Sequence, residues 1–319
     1  MSKPFASTGE TRVKQQTLEV LADGVYAVTA EGDPNFGAVE GEDFLVCFEA
    51  LATPTVARRT LAMVREHTDK PVRHLVLSHY HAARVLGASA FEPDVIIAHA
   101  QTKALIEERG KQDWDSEQGR FPVLFEDPDS VPGLTRPDVT FTDGLSIDLG
   151  GDRGELQLLF LGRGHTSGDI VAWLPRHKVL FAGDLVETQA ALYTGDAYHR
   201  EWATETLDRV AALGAEVLVG GRGVIARGRD EVSAAIAQTR GFLTTLINTV
   251  QSVHARGGDL REAFEAAHGA LEPQYGSWPI FEHCLPFDVA RLWEELSGGE
   301  HPSVWTAERD RQVWAQLQH

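Results

Sequence analysis

Apolar residues fall along the chain in two rhythms: short runs separated by turns up to about Asp184, and mostly helical spacing beyond it. Residues 25–29 and 44–48 are apolar runs bounded by Gly and Asp, and both predict strands. The stretch 53–67 has helical spacing, with Thr53 placed to cap it and Pro54 at the first helical position, where a missing N–H costs nothing. Runs at 72–78 and 95–98 predict two more strands, and 101–109 predicts a helix. From 110 to 137 the rhythm fails, and four prolines among scattered acids predict a loop. Strand signals return at 139–149, 156–161, 170–174 and 179–182. Beyond Asp184 the pattern predicts a helix at 201–213, a strand at 216–219 and a long helix at 230–256. Further helical pieces follow, broken at Gly257-Gly258, Pro273, Pro279 and Gly298-Gly299. This order predicts an α/β sandwich over residues 1–225, with a helical C-terminal extension over 226–319 packed on it.

Composition narrows the partners. Of 319 residues, 43% are hydrophobic, enough for a substantial core. The chain carries 29 Lys and Arg against 47 Asp and Glu, a net charge of −18. Such an excess repels phosphate backbones and anionic lipid, so the expected partner is a small-molecule substrate, with no nucleic acid and no membrane. Cys47 and Cys284 lie far apart, form no metal-binding pair and suit a reducing compartment. Residues 1–10 are polar, without the apolar stretch of a signal peptide, and no run reaches the roughly 18 residues of a membrane span. A soluble cytoplasmic protein is the expectation. The 13 histidines are where chemistry is to be sought.

Three loops, each following an apolar strand, hold the informative residues. They are Ser78-His79-Tyr80-His81-Ala82-Ala83-Arg84, then Gly162-Arg163-Gly164-His165-Thr166-Ser167-Gly168-Asp169, then Phe181-Ala182-Gly183-Asp184. A His-X-His pair alone is a weak signal. Three loops in this order are far more specific, because ligands at strand ends are held rigidly while an open position faces solvent.

Over residues 23–223, from a Pro34-Asn35 turn and the strand at 44–48 onward, the chain resembles the metallo-β-lactamase-fold superfamily. That family's order is His-X-His-X-Asp-His, a lone His, a bridging Asp and a last His. The resemblance implies an αββα sandwich with one or two metals, usually zinc, at the mouth between the sheets. It places His79, His81 and His165 at the ligands of the first metal and Asp184 at the bridging carboxylate. Zinc chemistry agrees: three neutral imidazoles leave a fourth position for water, whose acidity rises until hydroxide is available near neutral pH. Asp169 and Glu49 fall where the family places residues that orient ligands, although a loop cap is an equal reading of Asp169.

The departures are as informative. Ala83 stands where the family has an Asp, Arg84 where many members have a His, and Arg222 in place of the final His. Arginine keeps its proton and offers no lone pair, so it cannot ligate a metal. One zinc ion is therefore expected, not two. Two readings of the arginines stand side by side. Arg84 and Arg222 replace the second metal's charge and bind an anionic substrate group, or each pairs with a carboxylate such as Asp184.

The leading expectation is a mononuclear hydrolase: a zinc-bound hydroxide attacks a small ester, lactone, thioester or phosphoester, and Asp184, Arg222 and Arg84 serve as catalytic groups. The alternatives are a non-haem iron oxygenase resembling the sulfur dioxygenases, built on His79, His165 and Asp184, and a degenerate, non-catalytic anion-binding member. Tyr193, His199 and Trp202 are candidates for the mouth of the site, while Tyr80 reads as core. The stretch 275–283 reads as a lid or as an aromatic cluster that packs the helical tail, or a second subunit in a homodimer.

Overall fold

The computed structural model describes residues 11–318. Two mixed sheets lie face to face between two layers of helices, an αββα sandwich. The first sheet has seven strands in chain order: β1 (Thr17–Ala22), β2 (Val25–Ala30), β3 (Asp33–Glu40), β4 (Leu45–Phe48), β5 (Val72–Val76), β6 (Val95–His99) and β7 (Val139–Phe141). Helices α1 (Pro54–Arg65), α2 (Ala82–Val85) and α3 (Ala100–Arg120) cover its outer face. The second sheet runs β13-β12-β11-β10-β9-β8 across, from β8 (Gly144–Asp148), β9 (Glu155–Phe160), β10 (Ile170–Leu174), β11 (Val179–Gly183), β12 (Val217–Gly220) and β13 (Ala226–Arg227). On its outer side lie α4 (His199–Glu201), α5 (Leu207–Ala212), α6 (Arg229–Ala255), α7 (Leu260–Tyr275) and α8 (Phe281–Leu296), and α9 (Ala307–Gln318) closes the chain.

Strand alternation sorts side chains between these layers. Leu45 and Cys47 of β4 face α1–α3, whereas Val46 and Phe48 face the other sheet. In β11, Val179 and Phe181 point between the sheets, and Leu180 and Ala182 point at the outer helices. Both faces of these strands are buried, so they read as continuous apolar runs.

Several local expectations hold and several change. Thr53 caps α1 by accepting from Val56 N–H at 3.3 Å, and it also donates to Glu126 O at 2.7 Å. The run 139–149 is two strands, β7 and β8, one on each sheet, so it is the crossover of the sandwich. Pro34 and Asn35 form part of β3 instead of a turn. Pro273 does not break a helix; it lies inside α7, which ends two residues later. The largest change is α3, which continues to Arg120 through the first part of the expected loop. Its buried positions there include Asp113, Glu117 and Arg120, which continue from Arg109 a charged face at helical spacing that a search for apolar rhythm does not register.

Among the described residues no helix is long and apolar enough to cross a membrane. Cys47 and Cys284 are both free and buried. The C-terminal helices share a core with the second sheet: Phe242, Leu246 and Val250 of α6 and Leu285 and Val289 of α8 join Val171, Leu180 and Leu218 in one cluster. Extension and sandwich should therefore unfold together. Leu246→Ala, at a fully buried position, should cost about 2–5 kcal/mol and keep a single denaturant transition. Two separated transitions would contradict a shared core.

Candidate metal centre

Sheet geometry brings the three loops to one end of the sandwich. His79 follows β5, His165 lies between β9 and β10, and Asp184 follows β11. Strands β11 and β12 pair in parallel with Gly183 opposite Gly220, which sets Asp184 beside Gly221 and Arg222. Asn35 stitches this loop to the first sheet: its N–H donates to Gly221 O at 2.7 Å, and its amide Nδ2 donates to Gly220 O and Gly223 O, each at 3.0 Å. The Pro34-Asn35 segment thus ties the two halves of the site together.

His79, His81 and His165 converge, one ring nitrogen from each, with these atoms within 4.8 Å of one another. The outer nitrogens fix the tautomers. His165 Nδ1 donates to Tyr193 O at 2.8 Å, and His81 Nε2 donates to the Asp196 carboxylate at 3.1 Å. Ser78 Oγ donates to Glu49 Oε1, so it accepts from His79 Nδ1 at 2.8 Å. The inner nitrogens face one another: His81 Nδ1 and His165 Nε2 lie 2.9 Å apart, and His79 Nε2 is buried without a hydrogen-bond partner. An orphaned ring nitrogen beside two others, each ring oriented by its own outer partner, is a metal-binding triad. Burial keeps His165 neutral, pushing it down to about 3, and carries His79 well below its ordinary range. For His81 burial also opposes the charged ring, but Asp113, Asp196 and Glu117 outweigh it and raise the group to about 9. A metal cation held by the three rings would displace that proton.

The remaining expected residues fall as follows. Asp184 Oδ2 lies 3.6 Å from His165 Nε2 and 3.9 Å from His79 Nε2. Its other oxygen makes an ion pair with Arg84, which also reaches Asn35 O at 3.5 Å. Arg84 is thus committed to a carboxylate instead of standing free for substrate. Burial alone would raise the Asp184 carboxyl, but Arg84, His79, His165 and Arg222 hold it well below the usual carboxylate range. Gly221 permits this packing, since a Cβ there would sit 2.1 Å from Asp184 Oδ1. Arg222 lines the cavity and donates to Gly32 O at 3.2 Å. Glu49, His79 and Asp184 form a second cluster of ligand-type groups, and the Arg84 charge acts on all three.

Other candidates lie elsewhere. Asp169 accepts from Thr166 N–H at 2.8 Å and Thr166 Oγ1 at 2.7 Å, the loop cap and not the partner of a ring. Tyr80 packs in the core under α1–α3. Trp202 is core with Nε1 bonded to Leu185 O, His199 is held by Glu295 and Thr194, and of that trio Tyr193 alone lines the cavity. In the stretch 275–283, Tyr275 is core, while Ile280 and His283 form part of the cavity wall.

Sequence reasoning missed the residues that support the triad from α3 and the 193–196 loop. Asp113 accepts from Ala82 N–H at 2.7 Å and Glu117 from Ala83 N–H at 2.9 Å, so α3 caps the loop that carries His81. Their signal was present as charge at i, i+4 on α3, without an apolar stripe to mark it.

Comparison with known proteins points the same way. The profile of the Metallo-beta-lactamase superfamily matches residues 30–222. A metallo-beta-lactamase type 2 of Bacillus sp. (strain 170) is 27% identical over 152 residues, 47% of this chain and 50% of that protein. The 2,4-dinitroanisole O-demethylase subunit alpha of Nocardioides sp. (strain JS1661) is 24% identical over 186 residues, 57% of this chain and 48% of that one. The chain thus matches about half the length of these relatives. Among solved structures, the DIM-1 metallo-beta-lactamase superposes with a TM-score of 0.55 at 17% identity, covering 73% of this chain and 99% of its own. A double mutant of the sec-alkyl sulfatase PisA1 (Pseudomonas sp.) reaches 0.72 at 19% identity, covering 90% of this chain and 51% of its own.

Asp196 is the outer partner of His81, and such partners carry about 10–100-fold in metal affinity. Asp196→Asn should therefore lose metal to a chelator at concentrations about 10–100-fold lower than the parent protein does. Unchanged retention would contradict the ring assignment.

Proposed function

The chain belongs to the metallo-beta-lactamase superfamily, and from that membership we propose that it is a hydrolase holding one zinc ion on His79, His81 and His165. Its substrate is a small anionic ester, lactone, thioester or phosphoester. The observation that carries the single-ion reading is the buried Arg84–Asp184 pair. A second ion would have to share Asp184 with a guanidinium already bound to it, and Ala83 and Arg222 contribute no ligand nearby.

Three neutral imidazoles and one open position suit zinc, which when bound supplies Lewis acidity and a water acidic enough to react near neutral pH. The protein's own groups do the rest. Asp184, kept ionised by Arg84, faces His79 and His165 and accepts the hydrogen that orients the reacting water. Arg222 lines the same cavity, where a buried guanidinium attracts an anionic group strongly. Relatives named as beta-lactamases and a neighbour named as a sulfatase support hydrolysis as the reaction class. An iron site of His79, His165 and Asp184 would leave His81 outside, whereas His81 Nδ1 lies 2.9 Å from His165 Nε2.

Metal analysis of protein purified without chelators tests this reading. The expected result is one zinc per chain, with metal and hydrolysis of an ester panel both lost in His165→Ala. Two ions per chain, or iron accompanied by oxygen uptake, would overturn it.

A further inference from the structure

Ala83 leaves the site one carboxylate short of the family's pattern, and α3 brings another to the same place from outside the motif. Asp113 and Glu117 both cap the loop that carries His81, but of the two only Glu117 lines the cavity. There it shares the wall with His79, His81, Ala83, His165 and Asp184. Glu117 Oε2 accepts from Ala83 N–H at 2.9 Å. An Asp at position 83 would carry its carboxyl carbon two bonds from its own Cα, close to that same N–H. Glu117 therefore delivers a carboxylate to the backbone position whose side chain lacks one.

Capping uses one oxygen only. Ala83 N–H is the single hydrogen-bond donor that Glu117 meets among the described residues, which leaves Oε1 an acceptor without a partner. Asp184 is placed differently: one oxygen is paired with Arg84, and Oδ2 faces the rings of His79 and His165. The cavity that both acids line has an open volume of about 20 Å³, room for about one water. A buried water is held by about two to four polar partners, and its two hydrogens need two acceptors. Asp184 Oδ2 supplies one of them. Arg84, Arg120 and Arg222, on the same wall, are donors only and cannot supply the other. Glu117 Oε1 can.

We propose that Glu117 is a catalytic carboxylate that replaces the acid absent at position 83, its Oε1 accepting the second hydrogen of the reacting water; this rests on the hydrolase reading. As the water oxygen bonds to the acyl or phosphoryl centre, its O–H bond toward Glu117 breaks. The electron pair stays on that oxygen, and the proton passes to Oε1. The proton then goes to the departing oxygen or sulfur, which leaves with the electron pair of its bond to the same centre. Asp184, whose other oxygen is tied to Arg84, holds the water's remaining hydrogen throughout.

Glu117→Gln is the discriminating variant, because its amide oxygen still caps Ala83 N–H while its other arm can only donate. In the zinc-loaded full chain, kcat on the ester panel should fall about 100- to 10,000-fold, with KM, zinc content and melting temperature unchanged. A cap without catalytic duty would leave kcat alone. Independently of turnover, a crystal structure of the zinc-loaded parent should show one ordered water hydrogen-bonded to both Asp184 Oδ2 and Glu117 Oε1. A folded, zinc-replete Glu117→Gln variant with the parent's kcat, or a water bonded to Asp184 alone, would overturn the proposal. A parent chain that hydrolyses nothing in the panel contradicts the hydrolase reading instead, and the partners of that water still decide the placement of Glu117.

Discussion

The site is organised around one buried ion pair, Arg84 with Asp184. Removing two charges from water costs several kcal/mol per ion, recovered only through close geometry and further partners. The surroundings press the two groups together. Gly221 lets the backbone after β12 approach Asp184, and Asn35 fastens that backbone to the first sheet. Two further acids near the pair are pushed toward their neutral forms. Burial lifts Glu49 to about 7, and burial together with the Asp184 charge raises Glu187 well above its ordinary range. Asp184 thereby stays the ionised carboxylate, and a fixed guanidinium occupies the side of it that faces away from the triad. The proposed single metal position rests on this pair and on Ala83.

A second constraint explains why α3 is charged on its buried side. The loop carrying His81 and α2 presents buried backbone N–H groups, and Asp113 and Glu117 accept them. Asp196 orients His81 and is itself 3.5 Å from Arg109, which bonds Pro302 O at 2.9 Å. Ser116 reaches Asp310 of α9 at 2.7 Å. The ring geometry of the triad is therefore connected through α3 to the C-terminal segment, and the helical extension contributes to the site as well as to the core.

Sequence and structure agree where hydrophobic alternation or a motif spoke directly. The runs at 44–48, 72–78 and 170–174 appear as strands, and the His79, His81 and His165 loops meet as expected. Agreement fails where burial is polar. The helix through Asp113, Glu117 and Arg120 read as loop because its inward face is charged, and the Pro34-Asn35 segment read as a turn because proline usually marks one. Partners contributed by distant segments, Asp196 for His81 and Tyr193 O for His165, leave no local signature. Arg163 is half-exposed, paired with Glu201 and absent from the cavity wall. Within a chain of net charge −18, the cavity is walled by Arg84, Arg120 and Arg222 together with Glu117 and Asp184.

The central claim is that Arg84 occupies what would otherwise be the second metal position. Anomalous diffraction at the zinc edge from crystals grown with excess zinc tests it most directly. The account predicts a single peak among His79, His81 and His165, with Arg84 still on Asp184. A second peak bound by Asp184, with Arg84 swung away, would contradict it.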